Sequence, residues 1–288
     1  MQAWVLATRP KTLPAALGPI LVGTAVAWHD DVFSLLPALA AFIGALLLQV
    51  AVNLANDYFD ARKAIDSEER LGPLRVTQAG LIPAAHVKAA MLGCLAAAAL
   101  VFLYLTAVAG PAIFMVGVLS ILAALAYSGG PYPIASHGLG EVFVFIFFGP
   151  VAVCCTYFVQ GGRFSLESLV ASVPPGLLIT AIMVINNLRD IPTDAKAGKR
   201  TLAVRLGRQK TITLYVALLA GAYAVPLLFM ISGYAGAAML LTILPLPMMI
   251  ALIREVRVTT GPPLNETLAR TAKFSLFFSI FFSIGLLV

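Results

Sequence analysis

Charge is scarce in this sequence. Nineteen Lys/Arg and thirteen Asp/Glu make up 11% of its 288 residues, where ordinary globular domains carry about 25%. Too few charges remain to coat a water-soluble globule of this length, and disordered chains, coiled coils and soluble nucleic-acid binders need more still. Cysteine is scarcer. Cys94, Cys154 and Cys155 lie inside apolar runs without a CxxC spacing, which excludes a disulfide framework or a thiolate metal site. His29, His86 and His137 are scattered without ligand spacing. The chain also lacks a GxxxxGK[ST] phosphate loop and any Asp-Gly dipeptide. Loop-type nucleotide binding is thereby excluded, as is the DG-containing aspartate signature of CDP-alcohol phosphotransferases.

What is present is apolar. Hydrophobic residues make up 60% of the chain and mean hydropathy is +0.96. This predicts an all-α polytopic membrane protein, since a helix needs about 20 apolar residues to cross the hydrocarbon core. Nine spans are expected, at about 12–28, 34–56, 88–108, 111–127, 139–159, 166–188, 211–231, 234–253 and 268–288. Only Ala109 and Gly110 separate the third from the fourth, which predicts a tight helical hairpin. If the N-terminus is cytoplasmic, the inner segments hold two, five, none, seven and four Lys/Arg in turn, leaving Arg163 alone outside. That bias satisfies the positive-inside rule. The first span has features of a signal peptide, with Arg9 and Lys11 ahead of an apolar run and Ala25-Val26-Ala27 as a cleavage-like site. Pro14, Gly18 and Pro19 interrupt that run, so it is expected to be retained.

Nineteen of the 32 charges fall in two inner loops, 57–88 after span 2 and 189–210 after span 6. Topology accounts for their basic residues but not for Asp57, Asp60, Asp66, Asp190 and Asp194, because acids contribute little to orientation. Ionisable groups near membrane depth cost roughly 2.5–3.5 kcal/mol at a helix centre, so they are functional candidates by default. Asn53 and Asp57 share a helical face at i,i+4, as do Asn56 and Asp60, and Asn186, Asp190 and Asp194 repeat the spacing. Asp66 joins that face only if the chain turns back after Arg62. Pro192 predicts a break between Asp190 and Asp194, and Pro174-Pro175 a kink in span 6. Asn53/Asp57 and Asn186/Asp190 are offset equally, and Arg70-Leu71-Gly72 recurs as Arg205-Leu206-Gly207. A single domain over 1–288 built from four-helix repeats, 12–127 and 139–253, plus a ninth helix would bring the two acidic clusters together.

Carboxylates with asparagine oxygens at a water-accessible membrane surface suit Mg²⁺, which uses few carboxylates and completes its shell with water and substrate phosphates. The interspersed Arg62, Lys63, Arg75, Lys199, Arg200 and Arg205 supply cations for a polyphosphate. A cation transporter is the non-enzymatic alternative, but it would favour ionisable residues near the midplane. Here all but four charges lie on or at the inner face.

Four stretches carry a resemblance: Arg9 to Pro14, Asn53 to Asp60, Arg70 to Arg75 with Gln78 and Gly80, and Asn186 to Gly207 (NNLRDIPTDAKAGKRTLAVRLG). In these the chain resembles the UbiA superfamily of intramembrane aromatic prenyltransferases, most closely its naphthoate-type branch in menaquinone biosynthesis. One departure stands out: the third aspartate of the usual first motif is Ala64 here, with Asp66 two residues later. The resemblance implies a multi-pass protein of the cell's inner (plasma) membrane with its site facing the cytoplasm. It implies transfer of a polyprenyl group from a polyprenyl diphosphate to 1,4-dihydroxy-2-naphthoate with loss of the carboxylate, 4-hydroxybenzoate being the alternative acceptor. It implies Mg²⁺ held by Asp57, Asp60, Asp66, Asp190 and Asp194, the catalytic aspartates being 57, 60, 190 and 194. Substrate contacts would come from Lys11, Asn53, Asn56, Lys63, Arg75, Asn186, Asn187, Lys199 and Arg200. Tyr58, Tyr127 or Tyr132 would face the allylic cation or sit in the membrane-interface belt, Arg9 would touch substrate or serve topology alone, and Glu141, at the inner end of span 5, would help to seat the acceptor or take a capping or solvated place.

Overall fold

The computed structural model describes residues 2–63, 71–72 and 74–288; Asp66 lies outside them, as do the side chains of Lys11 and Lys63. The described chain is helical, and no strand occurs among the described residues. The helices are α1 (Gln2–Thr8), α2 (Pro14–His29), α3 (Leu35–Lys63), α4 (Ala84–Ala109), α5 (Pro111–Ala126), α6 (Gly140–Ile146), α7 (Ala152–Gly161), α8 (Leu166–Ala171), α9 (Val173–Lys196), α10 (Leu202–Gly221), α11 (Ala224–Ser232), α12 (Leu246–Val258) and α13 (Leu264–Leu287). A π-helical turn, Phe147–Val151, joins α6 to α7.

Seven stretches among the described residues are long and apolar enough to cross a membrane: Leu35–Arg62, Ala84–Ala109, Gly140–Gly161, Leu166–Lys196, Leu202–Ser232, Ala237–Val258 and Leu264–Leu287. The protein is therefore a multi-pass membrane protein. The first and fourth expected spans, α2 and α5, have 16 residues each, about 24 Å of helix, short of a hydrocarbon core of about 30 Å. The expected hairpin is present: Gly110 links α4 to α5 at φ 93°, a conformation glycine adopts without a Cβ clash.

The rest of the chain packs around α9. Leu178, Ala181, Val184 and Ile185 are fully buried against Val22 and Val26 of α2, Tyr215 of α10 and Phe274 and Phe278 of α13. A second cluster joins α3 to α4 through Ala51, Leu54 and Ala55 against Val87, Met91 and Leu95. Lipid tails are as apolar as leucine, so close backbone approach at small residues does much of the holding. A Cβ on Gly23 of α2 would stand 2.6 Å from the Val153 carbonyl oxygen and 2.8 Å from Thr156 Cβ on α7. Gly23→Leu is accordingly expected to destabilise the fold by about 1–3 kcal/mol or more, read as a lower melting temperature in detergent; an unchanged melt would refute this contact.

Two expectations are corrected. The aspartates at the start of each acidic segment lie on helices and not in loops. Asp57 and Asp60 lie on the last turns of α3, Asp190 and Asp194 on those of α9, and only residues 197–201 separate α9 from α10. Pro192 does not break α9. The bond from Ala197 N–H to the Thr193 carbonyl and the hydrogen bonds of Arg189 hold the last turns helical despite the missing donor. Pro174 and Pro175 occupy the first turn of α9, where that donor has no intrahelical partner. The interruption expected in span 6 is present, at Ser172 between α8 and α9, directly before these prolines.

Candidate active site

One face of α3 explains where the site lies. Ala41, Ala45, Leu48, Gln49, Val52, Asn53, Asn56 and Asp60 all line one cavity, at the i, i+3, i+4 spacing of a single helical face. From Ala41 to Asp60 that face runs about 28 Å. The cavity measures about 940 Å³, at the upper end of the usual range of ligand sites, about 300–1,000 Å³. Its deep part is apolar, with Phe102, Leu105, Ile113, Phe147 and Val159 among its walls. Its inner end is polar and holds Asp60 from α3 and Asp190 and Asp194 from α9.

Each of those carboxylates has a cation beside it. Asp60 pairs with Arg75, whose guanidinium also donates to the Asn56 carbonyl oxygen. Asp190 takes a forked pair from Arg189, at 2.8 Å from Nε and 2.6 Å from Nη2. Asp194 accepts Lys199 Nζ at 3.3 Å. Arg9, Arg75, Arg189, Lys196 and Lys199 line the cavity too.

Asp57 sits elsewhere. It is 3% exposed, is not among the cavity-lining residues, and its two oxygens accept the backbone N–H groups of Val76 and Thr77, each at 2.9 Å. The sequence placed it with the metal ligands; its geometry ties the chain after residue 74 onto the end of α3, which in turn brings Arg75 to Asp60. Asn53 lines the cavity, but its amide nitrogen is spent on the N-terminal turn, donating to the Thr8 carbonyl at 2.9 Å and to Thr12 Oγ1 at 3.2 Å. That turn carries Arg9 into the cavity at φ 51°, a left-handed conformation costing about 1–3 kcal/mol at a non-glycine residue.

Asn56, Asn186, Asn187, Arg75 and Lys199 all line the cavity as expected, whereas Arg200 does not. The Arg200 carbonyl oxygen instead accepts Arg205 Nε, and Arg205 also donates to the His137 carbonyl, so this pair clasps the 134–138 turn to α10. Of the three tyrosines only Tyr127 lines the cavity. Tyr132 is 77% exposed, and Tyr58 lies under Arg62.

Three residues that the sequence did not single out belong to the site: Lys196, which lines the cavity, Arg189 and Asn265. Arg189, 2% exposed, joins Asp190 to Asn186 Oδ1 at 2.9 Å and to Asn265 Oδ1 of α13 at 2.6 Å. Asn265 in turn donates to the Leu71 carbonyl. Arg189 had been read only as a topology charge; its place beside Asp190 on an otherwise apolar helix was the available signal.

Among the described residues no three His, Cys, Asp or Glu side chains converge as a ready-made metal cage. The donor set still fits Mg²⁺, because that ion is ordinarily bound by one or two carboxylates with substrate phosphates and water completing its shell. Oxygen donors Asp60, Asp190, Asp194, Asn56 and Asn186 share the polar end of the cavity.

Comparison with known proteins places the chain in a family. The sequence profile of the UbiA prenyltransferase family matches residues 16–280. A protein of Escherichia coli (strain K12) named 1,4-dihydroxy-2-naphthoate octaprenyltransferase is 38% identical, covering 99% of this chain and 95% of its own length. The protein of that name in Mycobacterium tuberculosis is 42% identical over 80% of this chain and 78% of its own. Among solved structures, a UbiA homologue from Aeropyrum pernix K1 superposes with a TM-score of 0.74 at 17% identity, covering 95% of this chain and 97% of that one. One from Archaeoglobus fulgidus, bound to GPP and Mg²⁺, gives 0.65 at 14% identity over 98% and 100%.

Proposed function

The chain belongs to the UbiA prenyltransferase family and is a prenyltransferase; from that premise we propose that it moves a polyprenyl group from its diphosphate to 1,4-dihydroxy-2-naphthoate, with release of CO₂, in menaquinone biosynthesis. One observation carries the reading: a single cavity joins a carboxylate- and cation-lined end to a long apolar shaft. A molecule with a polyanionic head and a hydrocarbon tail matches both ends at once.

Arg9, Arg75, Arg189, Lys196 and Lys199 face the donor's diphosphate, and Asp60, Asp190 and Asp194 with the oxygens of Asn56 and Asn186 hold Mg²⁺. When bound, that ion adds positive charge where the leaving group becomes negative, which lowers the barrier to ionisation. Asp57 acts through Val76 and Thr77, fixing Arg75. The π-face of Tyr127 stabilises the allylic carbon as it becomes cationic. The apolar shaft keeps water from that carbon, so the electron-rich naphthoate ring forms the new carbon–carbon bond and then loses its carboxylate as CO₂. We further read nine crossings, with α2 and α5 as short spans within one domain of two four-helix repeats. The N-terminus and site face the cytoplasm across the plasma membrane, as the one-sided Lys/Arg distribution supports.

Membranes carrying the protein are expected to make prenylated product from a polyprenyl diphosphate and dihydroxynaphthoate only with Mg²⁺ present. Dihydroxynaphthoate should be preferred to 4-hydroxybenzoate by at least about tenfold in kcat/KM. Full activity in excess chelator would overturn the metal–diphosphate model, and preference for 4-hydroxybenzoate would overturn the acceptor.

A further inference from the structure

Glu141 is 5% exposed, and among the described residues no cation pairs with it. It stands in the first turn of α6 without capping that helix. Its Oε1 accepts Asn187 Nδ2 at 2.8 Å, and its Oε2 is buried with no hydrogen-bond partner. An uncompensated carboxylate so placed is costly, and the link between α6 and α9 does not need one, since a neutral amide or hydroxyl would span the same gap. What a carboxylate adds is direction. Its Oε1 accepts, so the asparagine NH₂ faces it and the asparagine Oδ1 points the other way. Asn187 lines the cavity, and its Oδ1 accepts no hydrogen bond among the described residues.

The surroundings match a flat ring. Asn187 lies three residues before Asp190 on α9, about 4.5 Å deeper along the helix. It therefore sits between the charged mouth and the apolar shaft. The wall beside it is aromatic: Tyr127 and Phe143 have ring centroids 6.2 Å apart, and Phe143 and Phe147 4.5 Å apart. Tyr127 spends its hydroxyl on Met183 Sδ at 3.2 Å, leaving Asn187 Oδ1 as a polar acceptor beside that wall.

Resting on the acceptor chemistry proposed above, we infer that Glu141 is a positioning residue that fixes the Asn187 amide so that its Oδ1 accepts a hydrogen bond from a ring hydroxyl of the aromatic acceptor. Glu141→Leu frees the amide to rotate. Glu141→Gln, nearly isosteric, lets it settle either way, because a glutamine can present oxygen or NH₂ to it.

The test compares KM for dihydroxynaphthoate and for the prenyl diphosphate in both variants. It also compares inhibition by 1-hydroxy-2-naphthoate and 4-hydroxy-2-naphthoate, each lacking one ring hydroxyl. In Glu141→Leu the acceptor KM is expected to rise about tenfold or more while the donor KM stays within about twofold. Glu141→Gln should fall between, and wild-type discrimination between the two inhibitors should shrink in both variants. If donor and acceptor KM rise together, or discrimination persists in the glutamine variant, the inference fails even if the leucine variant folds poorly. A wild-type enzyme giving no product with dihydroxynaphthoate removes the acceptor reading and the inference together. Product in wild type with unsplit KM values removes the inference alone.

Discussion

Asp190→Asn is expected to lower kcat by about 10²–10³-fold, the usual loss when one preorganised electrostatic contact to a transition state is removed, with a smaller fall in melting temperature than follows from losing Arg189 itself. Asparagine keeps an oxygen for Arg189 Nε, which now stands 2.8 Å from Asp190 Oδ1, but removes the charge and turns an NH₂ toward Arg189 Nη2, from which Asp190 Oδ2 now accepts at 2.6 Å. Asp60→Asn should behave alike, since it faces the same cavity from α3. Asp57→Asn should not. An amide there offers one acceptor where Val76 and Thr77 N–H groups now use two, so the loss should appear as weaker donor binding through a misplaced Arg75. Steady-state kinetics with a detergent melt separates the two cases. A wild-type kcat in Asp190→Asn would remove that carboxylate from the reaction, and a kcat-only defect in Asp57→Asn would return it to the metal.

Arg189→Leu should show the reverse pattern, a loss of stability first. The guanidinium serves Asp190, Asn186 and Asn265 at once, and Asn265 continues the chain of bonds to Leu71. Removing one partner of a buried charge pair costs about 3–5 kcal/mol, which at this chain length is a fall of roughly 10 °C in melting temperature. Arg189→Lys should recover only part of it, because an ammonium lacks the planar fork that meets both Asp190 oxygens. A melt unchanged in Arg189→Leu would show that α9 and α13 do not depend on this junction.

The helical bundle was legible because hydropathy is a one-dimensional property: residue types alone mark what can lie in lipid, and Gly110 marks where the chain must reverse. The acidic pairs were legible for the same reason, as carboxylates at the ends of apolar helices that the positive-inside rule does not explain. The separate roles of Asp57 and Asp60 were not. They lie three residues apart on neighbouring faces of α3, and the difference between them is made by Arg75, Val76 and Thr77, a chain segment folding back from well downstream. Arg189 was hidden by an adequate simpler explanation, since the positive-inside rule accounts for any basic residue on that face. Pro192 misled because local propensity was outweighed by the hydrogen bonds on either side of it.

The ion pairs at the mouth also set the order in which the cavity fills. Among the described residues five cationic side chains and three carboxylates line it. On the proposed reaction, the diphosphate is drawn in first, and its arrival reverses the local field. By linkage, the factor by which the bound donor raises affinity for its counterion is the factor by which the counterion raises affinity for the donor. On that reading the protein binds the donor and its counterion more tightly together than apart, a form of coincidence detection written into the balance of charges.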